Sequence, residues 1–167
     1  DEIIFMDAVA SYYDRNSLSQ IIERATNNIH IPITVGGGIR TLDDIQNALN
    51  SGADKVSINT EAVKNPNFIN ESAKKFGSQC IIGSIEAKLV QSNKWKVFYD
   101  NGREQTNIDV VFWAKKLEEL GAGEILITSI DMEGTKRGFD TELNEIITNN
   151  VNIPVICSGG AGELSDI

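Results

Sequence analysis

The chain has 167 residues, 41% hydrophobic and 23% charged, the balance of one globular domain able to bury a substantial core. A formal charge of -9 and a pI near 4.6 leave no basic stripe for a phosphate backbone or an anionic bilayer, so neither nucleic acid nor membrane is expected as a partner. No stretch approaches ~18 uninterrupted apolar residues, and the first residues lack the basic, apolar and small-residue order of a signal peptide, which leads to the expectation of a cytoplasmic enzyme.

Short β-branched runs at Ile3 to Val9, Ile31 to Val35, Lys55 to Ile58, Cys80 to Glu86, Glu124 to Ile130 and Pro154 to Ser158 predict six strands. Between them come stretches with helical spacing, such as Leu18, Ile21, Ile22 and Ala25, or Val110, Val111, Ala114, Leu117 and Leu120. The strands are almost wholly apolar and do not alternate, as in a parallel sheet covered by helices. After the fourth strand, Trp95 to Tyr99 followed by Asp100-Asn101-Gly102 and Arg103 predicts a β-hairpin. Cys80 and Cys157 sit in apolar runs without a second Cys or His at ligand spacing, so buried reduced thiols are expected, with no metal and no cofactor. His30 has no partner at nucleophile spacing and is assigned to the surface, and Trp95 and Trp113 to packing.

Laying residues 1–45 on residues 123–167, a gapless offset of 122, aligns 14 identical pairs. Ordinary residue usage would give about three. The identities include Glu2-Ile3 with Glu124-Ile125, Thr26-Asn27-Asn28 with Thr148-Asn149-Asn150, Ile31-Pro32 with Ile153-Pro154, and Gly37-Gly38 with Gly159-Gly160. The offset spans four strand-helix units, which is half of an eight-stranded barrel. The fold class is therefore α/β, a (β/α)8 TIM barrel of ribulose-phosphate-binding type with a half-barrel repeat, here reduced to six units in a single incomplete domain over residues 1–167. A whole barrel takes roughly 250 residues, so the chain is expected to be a fragment of a longer reading frame.

Chemistry is expected at the C-terminal ends of the strands, where barrel active sites sit. Gly37 and Gly38 follow the second strand, Gly159 and Gly160 the last. Glycine lets backbone N–H groups approach an anion, and a following helix N-terminus adds a positive dipole end. One such turn has an equally good conformational explanation. Two, related by the half-barrel offset, predict a substrate with phosphate at both ends. Asn59 and Thr60 end the third strand beside the first glycine turn and are candidate donors to the same anion, although Thr60 has an alternative as a helix cap. Asp7, Glu86 and Asp131 each close an apolar strand, which predicts three carboxylates converging on one rim for acid–base work. At the opposite face Glu2, Lys55 and Glu124 each precede a strand, predicting either a structural salt-bridge layer or a gate for something entering from below.

The runs Thr34 to Ile39, Asp54 to Thr60, Phe76 to Cys80, Gly121 to Leu126 and Ser158 to Gly162 resemble the cyclase subunit of imidazole glycerol phosphate synthase, over essentially the whole chain. The resemblance implies the second to the seventh unit of that barrel. It implies a reaction in which ammonia from a glutaminase partner converts a bisphosphorylated ribulosyl aminoimidazole carboxamide ribonucleotide to imidazole glycerol phosphate and aminoimidazole carboxamide ribotide, in histidine biosynthesis. It assigns Gly38, Asn59 and Thr60 to one phosphate, Thr128, Ser158 and Gly160 to the other, Glu2, Lys55 and Glu124 to an ammonia gate, and Asp54 to the glutaminase interface. This sequence departs from the pattern at Glu86, where the usual Asp is about 1.5 Å shorter, and at Glu133, and the family's first-strand Asp lies outside the chain. Three alternatives follow. One is a paralogue that uses ammonia to amidinate a sugar for surface polysaccharide. Another is the phosphoribosyl aminoimidazole carboxamide isomerase of the same pathway, and the third is an inactive barrel fragment. Unpaired sheet edges would favour self-association.

Overall fold

In the computed structural model, which describes residues 2–7, 22–23, 25–26 and 30–166, six parallel strands follow one another in chain order through one sheet. They are β1 (Ile3–Met6), β2 (Ile33–Gly36), β3 (Lys55–Ile58), β4 (Ile81–Gln91), β7 (Glu124–Ser129) and β8 (Val155–Ser158). Helices α1 (Leu42–Asn50), α2 (Thr60–Lys64), α3 (Asn67–Phe76), α4 (Val110–Leu120) and α5 (Thr141–Thr148) return the chain between strands. Each longer helix turns an apolar stripe to the sheet, as with Val110, Trp113, Ala114 and Leu117 of α4. Leu117 packs so closely on β4 that a Cβ at Gly83 would lie 2.8 Å from its Cδ1.

The repeat is visible in the hydrogen-bonding register. Ile3 pairs with Ile33 and Met6 with Gly36; adding the sequence offset gives Ile125 with Val155 and Thr128 with Ser158, which are the pairs found. Outside the ladders, Ile3 N–H donates to Pro32 at 3.0 Å and Ile125 N–H to Pro154 at 2.9 Å. The helix starts match too. Asp44 accepts from Arg40 and Thr41 N–H, and Asp166 from Gly162 and Glu163 N–H.

The sheet is curled. Glu2, before β1, and Glu124, opening β7, both contact the Lys55 ammonium, at 2.7 and 2.6 Å. Their strands stand four places apart, about 19 Å in a flat sheet at the usual strand spacing, which two glutamate side chains reaching one ammonium cannot span.

Most strand ends fall within one residue of the sequence-based expectation, and three depart further. Strand β2 begins at Ile33, not Ile31, because Pro32 has no N–H for a ladder; Ile31 is exposed. Strand β1 ends at Met6, and Ala8, Val9, Leu18 and Ile21 lie outside the described residues, as do Asn27 and Asn28 of the repeat. Strand β4 runs on to Gln91 and pairs antiparallel with β5 (Lys94–Tyr99), which pairs with β6 (Glu104–Asp109). The expected hairpin is thus the second half of a three-stranded meander. Cys80 and Cys157 are free thiols but only half-buried; burial still pushes the Cys157 thiol up. Trp95 and Trp113 are buried and His30 is exposed, as assigned.

Candidate functional site

The ends of β1 to β4 and the β5–β6 turn enclose a cavity of about 180 Å³, lined among others by Asp7, Gly37, Gly38, Ser57, Asn59, Thr60, Glu86 and Asp100. Period-two alternation accounts for part of this lining: Lys55, Ser57 and Asn59 share the concave face of the third strand and its end, so the line from floor to cavity is one side of one strand.

Gly37 has φ +93°, and a Cβ there would run into the Asp7 carbonyl, so the turn needs glycine for backbone approach alone. Its repeat mate Gly159, φ +95°, would put a Cβ 2.8 Å from the Ser129 carbonyl, the position equivalent to Asp7. The two turns therefore share one left-handed conformation and one close backbone neighbour. The helix start beyond each contributes less than expected, since Asp44 and Asp166 already occupy the first amides and offset the dipole. The two hydrogen bonds hold the Asp166 carboxyl below its usual range. Thr128, Ser158, Gly159 and Gly160 do not line the cavity of the first turn; there Gly138 N–H donates to Gly160 O at 2.9 Å and folds the loop after β7 over the second turn.

Glu86 lies mostly buried in the cavity wall. Burial raises its pKa; the Gly102 N–H, donating at 2.9 Å, and the Asn59 amide lower it in part, and the charge of Asp100 raises it again. A carboxyl so placed holds its proton to higher pH than an exposed glutamate does. Asp7 lines the same cavity. Asp131 does not, contrary to the expected convergence of three carboxylates: it is exposed and its Oδ2 accepts from Leu89 N–H at 2.8 Å, because the meander that extends β4 captures it.

The proposed capping role of Thr60 is not found. Asn59 occupies the cap position of α2 without a side-chain bond, and the Thr60 Oγ1 accepts instead from Asp100 N–H at 3.2 Å. Among the described residues its own hydroxyl proton has no acceptor. Asn59 donates an amide N–H to Glu86 and keeps a buried Oδ1 without a partner among the described residues.

Beneath the sheet Lys55 bridges Glu2 and Glu124 with side chains only 18–25% exposed. Burial, the largest single influence, pulls the ammonium down, but the bonds and charges of the two glutamates outweigh it and the pKa lies above the ordinary lysine value. Asp54 is exposed beside them, its Oδ2 accepting from Ile33 N–H at 2.8 Å.

Sequence reasoning missed Lys64, Ser84, Asp100 and Asn101 as cavity residues. Lys64 lies one helical turn from Thr60 on α2, a spacing that would have placed it on the same face.

The whole chain, residues 1–167, matches the family model described as histidine biosynthesis protein. It is 57% identical to the imidazole glycerol phosphate synthase subunit HisF of Legionella pneumophila over 99% of this chain and 78% of that protein. Against the subunit of the same name from Hydrogenobaculum sp. (strain Y04AAS1) it is 59% identical over 97% of this chain and 64% of that protein. With that of Prochlorococcus marinus subsp. pastoris it is 50% identical over 100% of this chain and 66% of that protein. The chain thus spans about two thirds of the length of most of these relatives.

Proposed function

The chain belongs to the histidine biosynthesis protein family, and we propose that it carries the cyclase chemistry of imidazole glycerol phosphate synthase. A bisphosphorylated ribulosyl aminoimidazole carboxamide ribonucleotide lies across the rim, one phosphate on Gly37, Gly38 and Thr60, the other on Thr128, Ser158, Gly159 and Gly160. Ammonia from a glutaminase docked at the opposite face enters when Lys55 leaves Glu2 and Glu124, and passes Ser57 on the way to the cavity. Asp54 keeps its Oδ1 for that partner while Oδ2 holds Ile33. Glu86, with Asp7 across the cavity, moves the protons of ring closure and of release of the aminoimidazole product.

The observation that carries this reading is the position of Glu86: a carboxyl of raised pKa in the same cavity as a glycine turn and the Thr60 hydroxyl. Catalysis needs the acid and the anchor in one space. The test is turnover of the bisphosphate by the full-length protein with ammonium salts, followed by absorbance. A second reading, ammonia-dependent amidination of a sugar, is favoured by the glutamate at position 86 itself; turnover confined to a nucleotide sugar selects it.

A further inference from the structure

The β5–β6 turn is fastened over the cavity at three points. Asp100 N–H donates to Thr60 Oγ1 at 3.2 Å, Gly102 N–H to Glu86 Oε2 at 2.9 Å, and the Lys64 ammonium stands 5.7 Å from the centre of the Tyr99 ring. Asp100 and Asn101 take φ of +55° and +56°, left-handed conformations that Asp and Asn tolerate better than other side chains. The turn is therefore a fixed wall, and Asp100 lines the cavity from it.

Facing this wall are polar atoms that nothing among the described residues satisfies. Ser57, 2% exposed and lining the cavity, has an unpartnered Oγ, and the Oδ1 of Asn59 is buried without a donor. An amide oxygen and a carboxylate accept hydrogen bonds and donate none. Buried acceptors of this kind are normally paired. A ligand that completes the Asn59 Oδ1 brings an O–H or N–H donor, which a phosphate dianion lacks, while the Ser57 hydroxyl can pair with either kind of group. Thr60 connects the two chemistries: its oxygen accepts from Asp100 N–H while its proton remains for an anion, so phosphate and donor groups belong next to each other on one ligand.

We propose that Asp100 is a specificity-determining residue of this site, its carboxylate accepting hydrogen bonds from the hydroxyls of a phosphorylated sugar chain seated over Ser57 and Asn59. The assignment deepens the proposed function and rests on its reading of the cavity as the substrate site. It separates the sugar-phosphate end of a substrate from free phosphate, which the glycine turn alone would bind equally well.

The experiment is calorimetric titration of the full-length protein and its Asp100→Asn variant with ribose 5-phosphate and with inorganic phosphate. Asparagine keeps the left-handed turn, and the bond to Thr60 comes from the backbone, so the fold and the thermal midpoint are retained. The advantage of ribose 5-phosphate over inorganic phosphate is expected to fall about tenfold, the usual effect of weakening one charge-assisted hydrogen bond. Inorganic phosphate itself should bind as well or better once a negative charge is gone. An unchanged advantage, a parent that prefers inorganic phosphate, or equal weakening of both ligands overturns the assignment. Where the advantage falls but the parent never turns over the bisphosphate, the Asp100 assignment stands and the proposed reaction fails; turnover with an unchanged advantage gives the reverse.

Discussion

Gly102 donates its N–H to Glu86 at 2.9 Å, so a residue of the β5–β6 turn holds the buried carboxylate of the cavity. The bond stabilises the charged form, yet burial dominates and the pKa stays raised.

Replacing Glu86 with Gln should separate activity from stability. The amide oxygen can keep the Gly102 bond, but proton transfer is lost, and kcat should fall about 10²- to 10⁴-fold with little change in KM. Because the folded pKa is raised, the carboxyl favours folding while protonated; its cost appears as pH rises past the unfolded value of about 4.3 and is complete above the folded one. Gln should therefore raise the thermal midpoint at pH 8, and the difference should shrink as pH falls toward 4. A lower midpoint at pH 8, or an unchanged rate, counts against this role.

Lys55→Met should leave Glu2 and Glu124 facing each other without their cation. The loss of stability should be about 1–2 kcal/mol, between the values for surface and buried pairs, since the side chains keep some solvent contact. The parent's gain from this raised lysine is fully present below its unfolded pKa of about 10.4 and is lost as pH rises through the folded one. Lys55→Glu should impair ammonia transfer from glutamine while turnover with ammonium salts is spared. Equal loss with both nitrogen sources would remove the gate.

Gly37→Ala and Gly160→Ala place a Cβ against the carbonyls of Asp7 and Gly138 in a left-handed conformation. Each should cost about 1–3 kcal/mol in urea unfolding, from φ strain and displaced backbone. The KM for the bisphosphate should rise in both variants. A variant with native stability and native KM would mean that its turn neither needs glycine nor holds phosphate.

The indole N–H of Trp113 is buried with no partner among the described residues. Trp113→Phe removes that unsatisfied donor while leaving a small void, two effects of opposite sign, so stability should change by less than about 1 kcal/mol. A loss of several kcal/mol in chemical denaturation would show that the donor has a partner.

What the sequence reveals and conceals follows from the range of the forces involved. Strand-helix alternation was legible because apolar periodicity is local, and the offset that pairs Glu2-Ile3 with Glu124-Ile125 reappears as an identical register in β1–β2 and β7–β8. The Lys55 cluster was legible because residues at the starts of parallel strands share one end of the sheet, and curling brings those of β1, β3 and β7 together. The direction of Asp131 was not, since it depends on Leu89 presenting an N–H from a strand that outruns its apolar segment. Nor was the bond from the Asn59 amide to Glu86, or Asp100 at the cavity wall, because both depend on how side chains meet after the sheet has curled and the hairpin has docked. Glycine turns could be located but not ranked: the same φ serves a close backbone and an anion.

Most direct is a crystal structure of the full-length Glu86→Gln variant grown with the bisphosphorylated substrate, which proton-transfer loss should leave intact. The account predicts one phosphate on Gly37, Gly38 and Thr60, the other on Ser158, Gly159 and Gly160, with the ribulosyl carbons between them against residue 86. Substrate bound elsewhere, with either glycine turn empty, contradicts it.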